Sequence, residues 1–154
     1  MRYNWYFCLL VFGLIPFSME SQTSTRKVKL IHTDELRYDR AMVSAQRLIG
    51  HVHLELDGTQ FFCDSAYLYA NDDFDAYGRI RIMEGNGSTV FSDALHFEKA
   101  KNTAFLSGNV TMRDEDITLT SSELTYQVRD KIARYHTGGR IVSSNSKNTL
   151  TSRH

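Results

Sequence analysis

Residues 104–112 read Ala104-Phe105-Leu106-Ser107-Gly108-Asn109-Val110-Thr111-Met112. Small or apolar side chains hold the even positions, and Phe105, Ser107, Asn109 and Thr111 the odd ones, which is the period-two pattern of a half-buried strand. A glycine stands at its middle. The same arrangement recurs at Leu48-Gly50-Val52-Leu54, at Ala76-Gly78-Ile80-Ile82 and at Ala133-Tyr135-Gly139-Ile141, so the four glycines lie 28, 30 and 31 residues apart.

A second phrase falls between the glycines: Thr33-Asp34-Glu35-Leu36-Arg37-Tyr38, Asp64-Ser65-Ala66-Tyr67-Leu68-Tyr69, Ser92-Asp93-Ala94-Leu95-His96-Phe97 and Ser121-Ser122-Glu123-Leu124-Thr125-Tyr126. Each ends on an apolar residue, a spacer and an aromatic ring. A period near thirty that holds two strands predicts a stacked β array, in which no repeat can close a core without its neighbours. Glycine weakens a strand interior, so its return at a fixed place predicts a bend or a close approach to the backbone.

Turn chemistry separates the strands at Asp57-Gly58, Asn71-Asp72-Asp73, Glu84-Gly85-Asn86-Gly87, Lys99-Ala100-Lys101-Asn102, Arg113-Asp114-Glu115-Asp116 and Arg129-Asp130-Lys131. These clusters tolerate left-handed and Asx geometry, and their spacing predicts an antiparallel meander rather than a parallel helix. One proline in 154 residues fits long ladders that use every backbone N–H. The predicted class is all β.

With 42% hydrophobic and 23% charged residues, the chain has the composition of one globular domain. Lys+Arg and Asp+Glu are both 18, so no net field draws in nucleic acid or an anionic membrane. Residues 1–21 stand apart: Arg2 precedes an apolar run from Trp5 to Phe17, followed by Ser18. That is the layout of a secretory signal peptide, with an uncleaved anchor as the alternative. Residues 22–27 form a polar lead-in and residues 28–152 the repeat domain. Cys8 would leave with the signal, which makes Cys63, beside Phe62, a buried structural thiol with no disulfide partner.

If Gly108 faces inward, Leu106, Val110 and Met112 do so too, with Leu54, Leu56, Ile80, Ile82 and Tyr135 equivalent and Leu119 and Tyr126 in the same lining. Periodicity leaves open whether such a row is plain core or a ligand trough. Arg79 and Arg81 flank Ile80 on the outer face, where they can meet phosphate at a rim or keep the sheet soluble. His51 and His53 share a strand face as metal ligands can. Val52, Leu54 and Leu56 claim the inner face, however, which turns the two histidines to solvent. No nucleophile elbow, phosphate loop or paired zinc-ligand cysteines are present. No catalytic residue, metal or cofactor is therefore expected, and an enzyme is the unfavoured class.

Taken together, the signal peptide, the Asp-x-Leu-x-Tyr type phrase and the later Ala-x-Leu-x-Gly with its Val-x-apolar continuation resemble the OstA-like, or LptA-like, family of lipopolysaccharide-transport proteins. Ser92 to Met112 and Ser121 to Ile141 carry the resemblance best. Tyr67 stands where leucine is expected, Ser122 where aspartate is, and the last repeat is incomplete at Arg153-His154. The resemblance implies a slightly twisted half-pipe, an open β-jellyroll in the periplasm of a Gram-negative bacterium. It further implies that lipid A acyl chains lie in the apolar trough, and that end strands pair with other jellyroll components on the way to the outer membrane. Further copies of the same chain could fill that role as well. Three readings follow: a lipopolysaccharide-binding bridge component, a structural β-repeat protein that pairs edge to edge without a ligand, and a sugar- or metal-using β-barrel enzyme resting on His51 and His53 alone. The first predicts that a charge at Ile82, Val110 or Met112 abolishes lipid capture while the fold survives.

Overall fold

Eleven strands follow one another: β1 (Lys29–His32), β2 (Glu35–Asp39), β3 (Ala45–Leu56), β4 (Thr59–Tyr69), β5 (Phe74–Met83), β6 (Thr89–Glu98), β7 (Thr103–Asp114), β8 (Ile117–Gln127), β9 (Ile132–Arg134), β10 (Gly139–Ser143) and β11 (Thr149–Ser152). The structure is a computed structural model and describes residues 27–39, 45–135, 138–145 and 149–152. The signal-peptide reading of residues 1–21 and most of the lead-in lie outside the described residues. All pairings are antiparallel, β3 to β8 run as a meander, and the connections fall at the expected turn clusters.

Every central ladder is interrupted at one level. The register shifts between Ile49 and Val52, Phe62 and Ser65, Tyr77 and Ile80, Phe91 and Ala94, and Ser107 and Val110. On β3, β5 and β7 this is the glycine and its successor, both in the left-handed region: Gly50 and His51 (φ 78° and 43°), Gly78 and Arg79 (76° and 43°), Gly108 and Asn109 (74° and 46°). Two such residues oppose one on the neighbouring strand, a β-bulge that bends the sheet. Stacked side by side, the bulges form a spine that divides the sheet into two arms.

The first arm holds β1, β10, β11 and the halves of β3–β8 that meet at the Asp57-Gly58, Glu84–Gly87 and Glu115-Asp116 turns. The second holds β2, β9 and the other halves. β1 pairs with the late part of β3 and β2 with its early part, while β10 and β9 divide β8 in the same way. The arms fold together over one core. Phe61 of the first arm lies 5.3 Å from Phe74 and 5.9 Å from Phe97 of the second, ring centre to ring centre, and Phe74 stacks on Phe97 at 5.0 Å. Burying each such ring stabilises the fold by roughly 1.5–3 kcal/mol.

The bulge also sets which residues face in. β3, β5 and β7 keep their parity through it, so Leu48, Val52, Leu54 and Leu56 are all buried. β4, β6 and β8 change parity: Phe61 and Cys63 give way to Ala66, Val90 and Ser92 to Leu95 and Phe97, and Leu119 to Leu124 and Tyr126. The inner positions are therefore the second and fourth after the aspartate. In the second repeat these are Ala66 and Leu68, which pack on the core, while Tyr67 and Tyr69 point outward against Tyr77 and Asp75. Tyr67 is thus no substitute for the leucine of the phrase, which in this repeat runs from Cys63 to Leu68.

Gly139 departs from the other three glycines. It keeps an ordinary backbone at the start of β10, opposite Ser121, and the Tyr135 ring lies over it, 2.9 Å from where a Cβ would stand. Ser121 opposes Val110 on its other side, so Gly139 stands in register with Val110 and not with the bulge glycine Gly108.

Candidate functional site

The spine follows from a carboxylate packed on each glycine. A Cβ added at Gly108 would stand 2.7 Å from Asp93 Oδ2 and 2.9 Å from Asp93 Cβ; at Gly78 the nearest atom would be Asp64 Oδ2 at 2.5 Å, and at Gly50 Asp34 Oδ2 at 2.2 Å. Each carboxylate accepts a hydrogen bond from the residue after the glycine. His51 Nδ1 lies 2.7 Å from Asp34 Oδ2, Arg79 grips Asp64 through Nε at 2.9 Å and Nη2 at 2.7 Å, and Asn109 donates to Asp93 at 2.7 Å. These donors hold the carboxyls of Asp34 and Asp64 below the usual carboxylate range, His51 and then His32 acting on the first and Arg79 on the second. The recurring aspartates Asp34, Asp64 and Asp93 are thus structural, each packed on its own glycine.

Inside the fold the structure brings most of the predicted row together. Leu54, Leu56, Ile80, Ile82, Leu106, Val110 and Tyr126 are 0–3% exposed, and Leu119 lies beside them. Met112 and Tyr135 pack on the margin of this cluster, half-buried. The predicted row omits Leu48 and Phe74, which continue it on the parity that β3 and β5 keep, and Phe61, Phe97 and Leu124, which line the same interior from strands whose parity changes at the bulge. The chain's own side chains fill the space between the arms. A lone charge at Ile82 or Val110 would therefore enter a packed core at a cost of roughly several kcal/mol, and of the three positions named earlier only Met112 leaves room for one.

Outside, Arg79 is bound to Asp64, and Arg81 lies over the Phe62 ring with its guanidinium carbon 4.6 Å from the centre. His53 stacks on the same ring at 4.3 Å and bonds Gln60 through Nε2 at 2.5 Å. His51 and His53 thus serve different partners. Among the described residues no three His, Cys, Asp or Glu side chains converge as a metal site requires. Cys63 lies in the core, where burial, and then the charge of Asp64, push its thiol up to about 12.

At the tips of the arms lies a carboxylate that sequence reading placed in a turn. Glu84 follows β5 and its side chain is 3% exposed. The Tyr126 hydroxyl donates to its Oε1, and Lys131 Nζ stands 3.0 Å from Oε2, within ion-pair range though not aligned as a hydrogen bond. Burial, and then the Glu84 bond, drive the Tyr126 phenol far up from its ordinary value.

At both ends of the sheet the interior opens. Leu36 and Tyr38 occupy the inward positions of the edge strand β2, yet they are 54% and 61% exposed because no further strand among the described residues covers them. Leu30 and Ile31 on β1, Ile132 on β9 and Leu150 on β11 add apolar surface at the two edges. Unpaired backbone beside apolar side chains is a template for strand addition.

The profile of the OstA-like protein family matches residues 25–154. No curated protein matches the chain. Among solved structures the fold is similar to LptH of Pseudomonas aeruginosa, described as the LptA-homologous periplasmic component of the conserved lipopolysaccharide transport device. The TM-score is 0.63 at 10% identity, over 84% of this chain and 96% of that one.

Proposed function

The chain belongs to the OstA-like protein family, and from that membership we propose that it is a periplasmic bridge component of lipopolysaccharide transport. It takes up lipid A acyl chains against the inward row and passes them toward the outer membrane, with no covalent step and no cofactor. The observation that carries this reading is an apolar interior running along an open sheet and exposed at both ends, through Leu36 and Tyr38 at one edge and Leu150 at the other. Other jellyroll components, or further copies of this chain, would add strands at those edges. Arg79 and Arg81 contribute less than expected to a phosphate rim, since Asp64 and Phe62 already engage them.

The test is a photo-crosslinking amino acid placed at Met112, on the margin of the interior, and at Thr111, its outward neighbour, in a Gram-negative host. Crosslinks to lipopolysaccharide from position 112 and none from 111 support the proposal. Lipid captured equally at both positions, or at neither, removes it.

One observation favours a second reading, a structural array without a ligand: the interior is filled by the chain's own side chains, with Leu48, Leu54, Phe74 and Phe97 fully buried. Lipid carriage then requires the arms to part, whereas an array requires only its edges. Oligomers that form with the same midpoint in the presence and absence of lipid would identify the array.

A further inference from the structure

Glu84 is the buried carboxylate of the described chain, and both its partners belong to the opposite arm. It leaves the first arm just past the end of β5, five positions beyond the bulge at Arg79. Tyr126 stands near the end of β8 in the second arm, four positions past the parity change at Ser122, and Lys131 lies in the turn that follows. The ties therefore cross the tips, as far from the bend as the arms reach. Ser88 Oγ bonds Asp114 at 2.6 Å and Lys99 pairs with Asp72, but those contacts join neighbouring turns of a single arm.

A cleft of about 410 Å³ opens beside Glu84, bordered by Gly58, Asn86, Asn102, Arg129 and Lys131. Solvent thus reaches the outer side of the tie, while its inner side, the Tyr126 ring, belongs to the core. A carboxylate so buried is stabilised only while both partners are in place; removing either leaves an uncompensated charge. The bulged spine supplies the bend about which two otherwise continuous arms can move.

We infer that Glu84, Tyr126 and Lys131 form a latch that holds the arms shut, and that an acyl chain reaches the interior when this latch parts. The part concerning lipid rests on the function proposed above; the latch itself does not. Parting exchanges a buried hydrogen bond and an ion pair for hydrated groups, and it exposes Phe61, Phe74, Phe97 and Ala104 between the arms.

A thiol at Ala104, fully buried opposite Tyr126, reports the opening. In the chain exported to a periplasm and purified with Cys8→Ser, Cys63→Ala and Ala104→Cys, it is the single thiol, and its reaction with Ellman's reagent under native conditions counts openings. Tyr126→Phe, which deletes only the hydroxyl, is expected to raise the labelling rate at least tenfold, and Glu84→Gln to raise it as well. Ser88→Ala removes a comparable hydroxyl–carboxylate bond inside one arm and is expected to raise it by no more than its own loss of global stability. Labelling of Tyr126→Phe at the parent rate, or equal acceleration by Ser88→Ala, would overturn the latch. Uptake of a fluorescent dodecanoyl probe is then followed in the same proteins. Faster uptake by Tyr126→Phe supports the whole inference. Faster labelling with no uptake by any of the proteins keeps the latch and removes the lipid reading.

Discussion

Replacing Gly108 with alanine tests the spine on which the two-armed sheet depends. Gly108 has φ near 74°, a conformation that costs an L-residue with a Cβ roughly 1–2 kcal/mol. The new methyl would also stand 2.7 Å from Asp93 Oδ2 and 2.9 Å from its Cβ, so Asp93 must leave its rotamer, at about 0.5–1.5 kcal/mol, and loosen its bond to Asn109. A loss of about 2–3 kcal/mol follows, measured as a shift of the urea midpoint at unchanged m. Gly58 gives the reference: φ is 83°, but nothing lies within 4 Å of its added Cβ, so Gly58→Ala carries the backbone cost alone. Asp93→Ala in the Gly108→Ala background should recover only part of the difference, because the Asp93 Cβ is itself in the way. Gly108→Ala no more costly than Gly58→Ala would refute the account of the spine.

Alkali should destabilise the fold through Cys63. Its folded thiol keeps its proton up to about 12 against an ordinary value of 9.0, so between those limits the unfolded chain binds fewer protons and stability falls as pH rises, by up to roughly 3–4 kcal/mol. Cys63→Ala should flatten a series of urea midpoints from pH 8 to 11, although the raised phenols of Tyr69 and Tyr126 keep some slope in the same direction. Val110→Asp should unfold the domain, whereas Met112→Glu should leave a cooperative transition and weaken only lipid capture; circular dichroism melts separate the two. Leu150→Lys, on the exposed edge of β11, should lower the oligomer fraction in sedimentation velocity without moving the melting temperature.

Much of the fold was legible because its devices repeat. Turn clusters and period-two runs located the meander, and the returning glycines announced the bend. The inner face of β3, β5 and β7 was legible too, since two left-handed residues carry the alternation through the bulge unchanged. On β4, β6 and β8 alternation fails at the bulge, and counting by two from Leu119 never reaches Leu124. Aromatic residues misled for the same reason: Tyr67 and Tyr69 look like core yet sit on the outer face. Glu84 could not be found from sequence, because a glutamate before Gly85-Asn86-Gly87 has every mark of a solvated turn. Only the folding of one arm onto the other brings Tyr126 to it, 42 residues away.

The central claim is that this interior receives lipid A, and native mass spectrometry of the chain purified gently from a Gram-negative periplasm tests it most directly. The account predicts protein carrying a lipid A-bearing species, with less of it on the Met112→Glu variant. Lipid-free protein running as a ladder of oligomers would contradict it and identify the array instead.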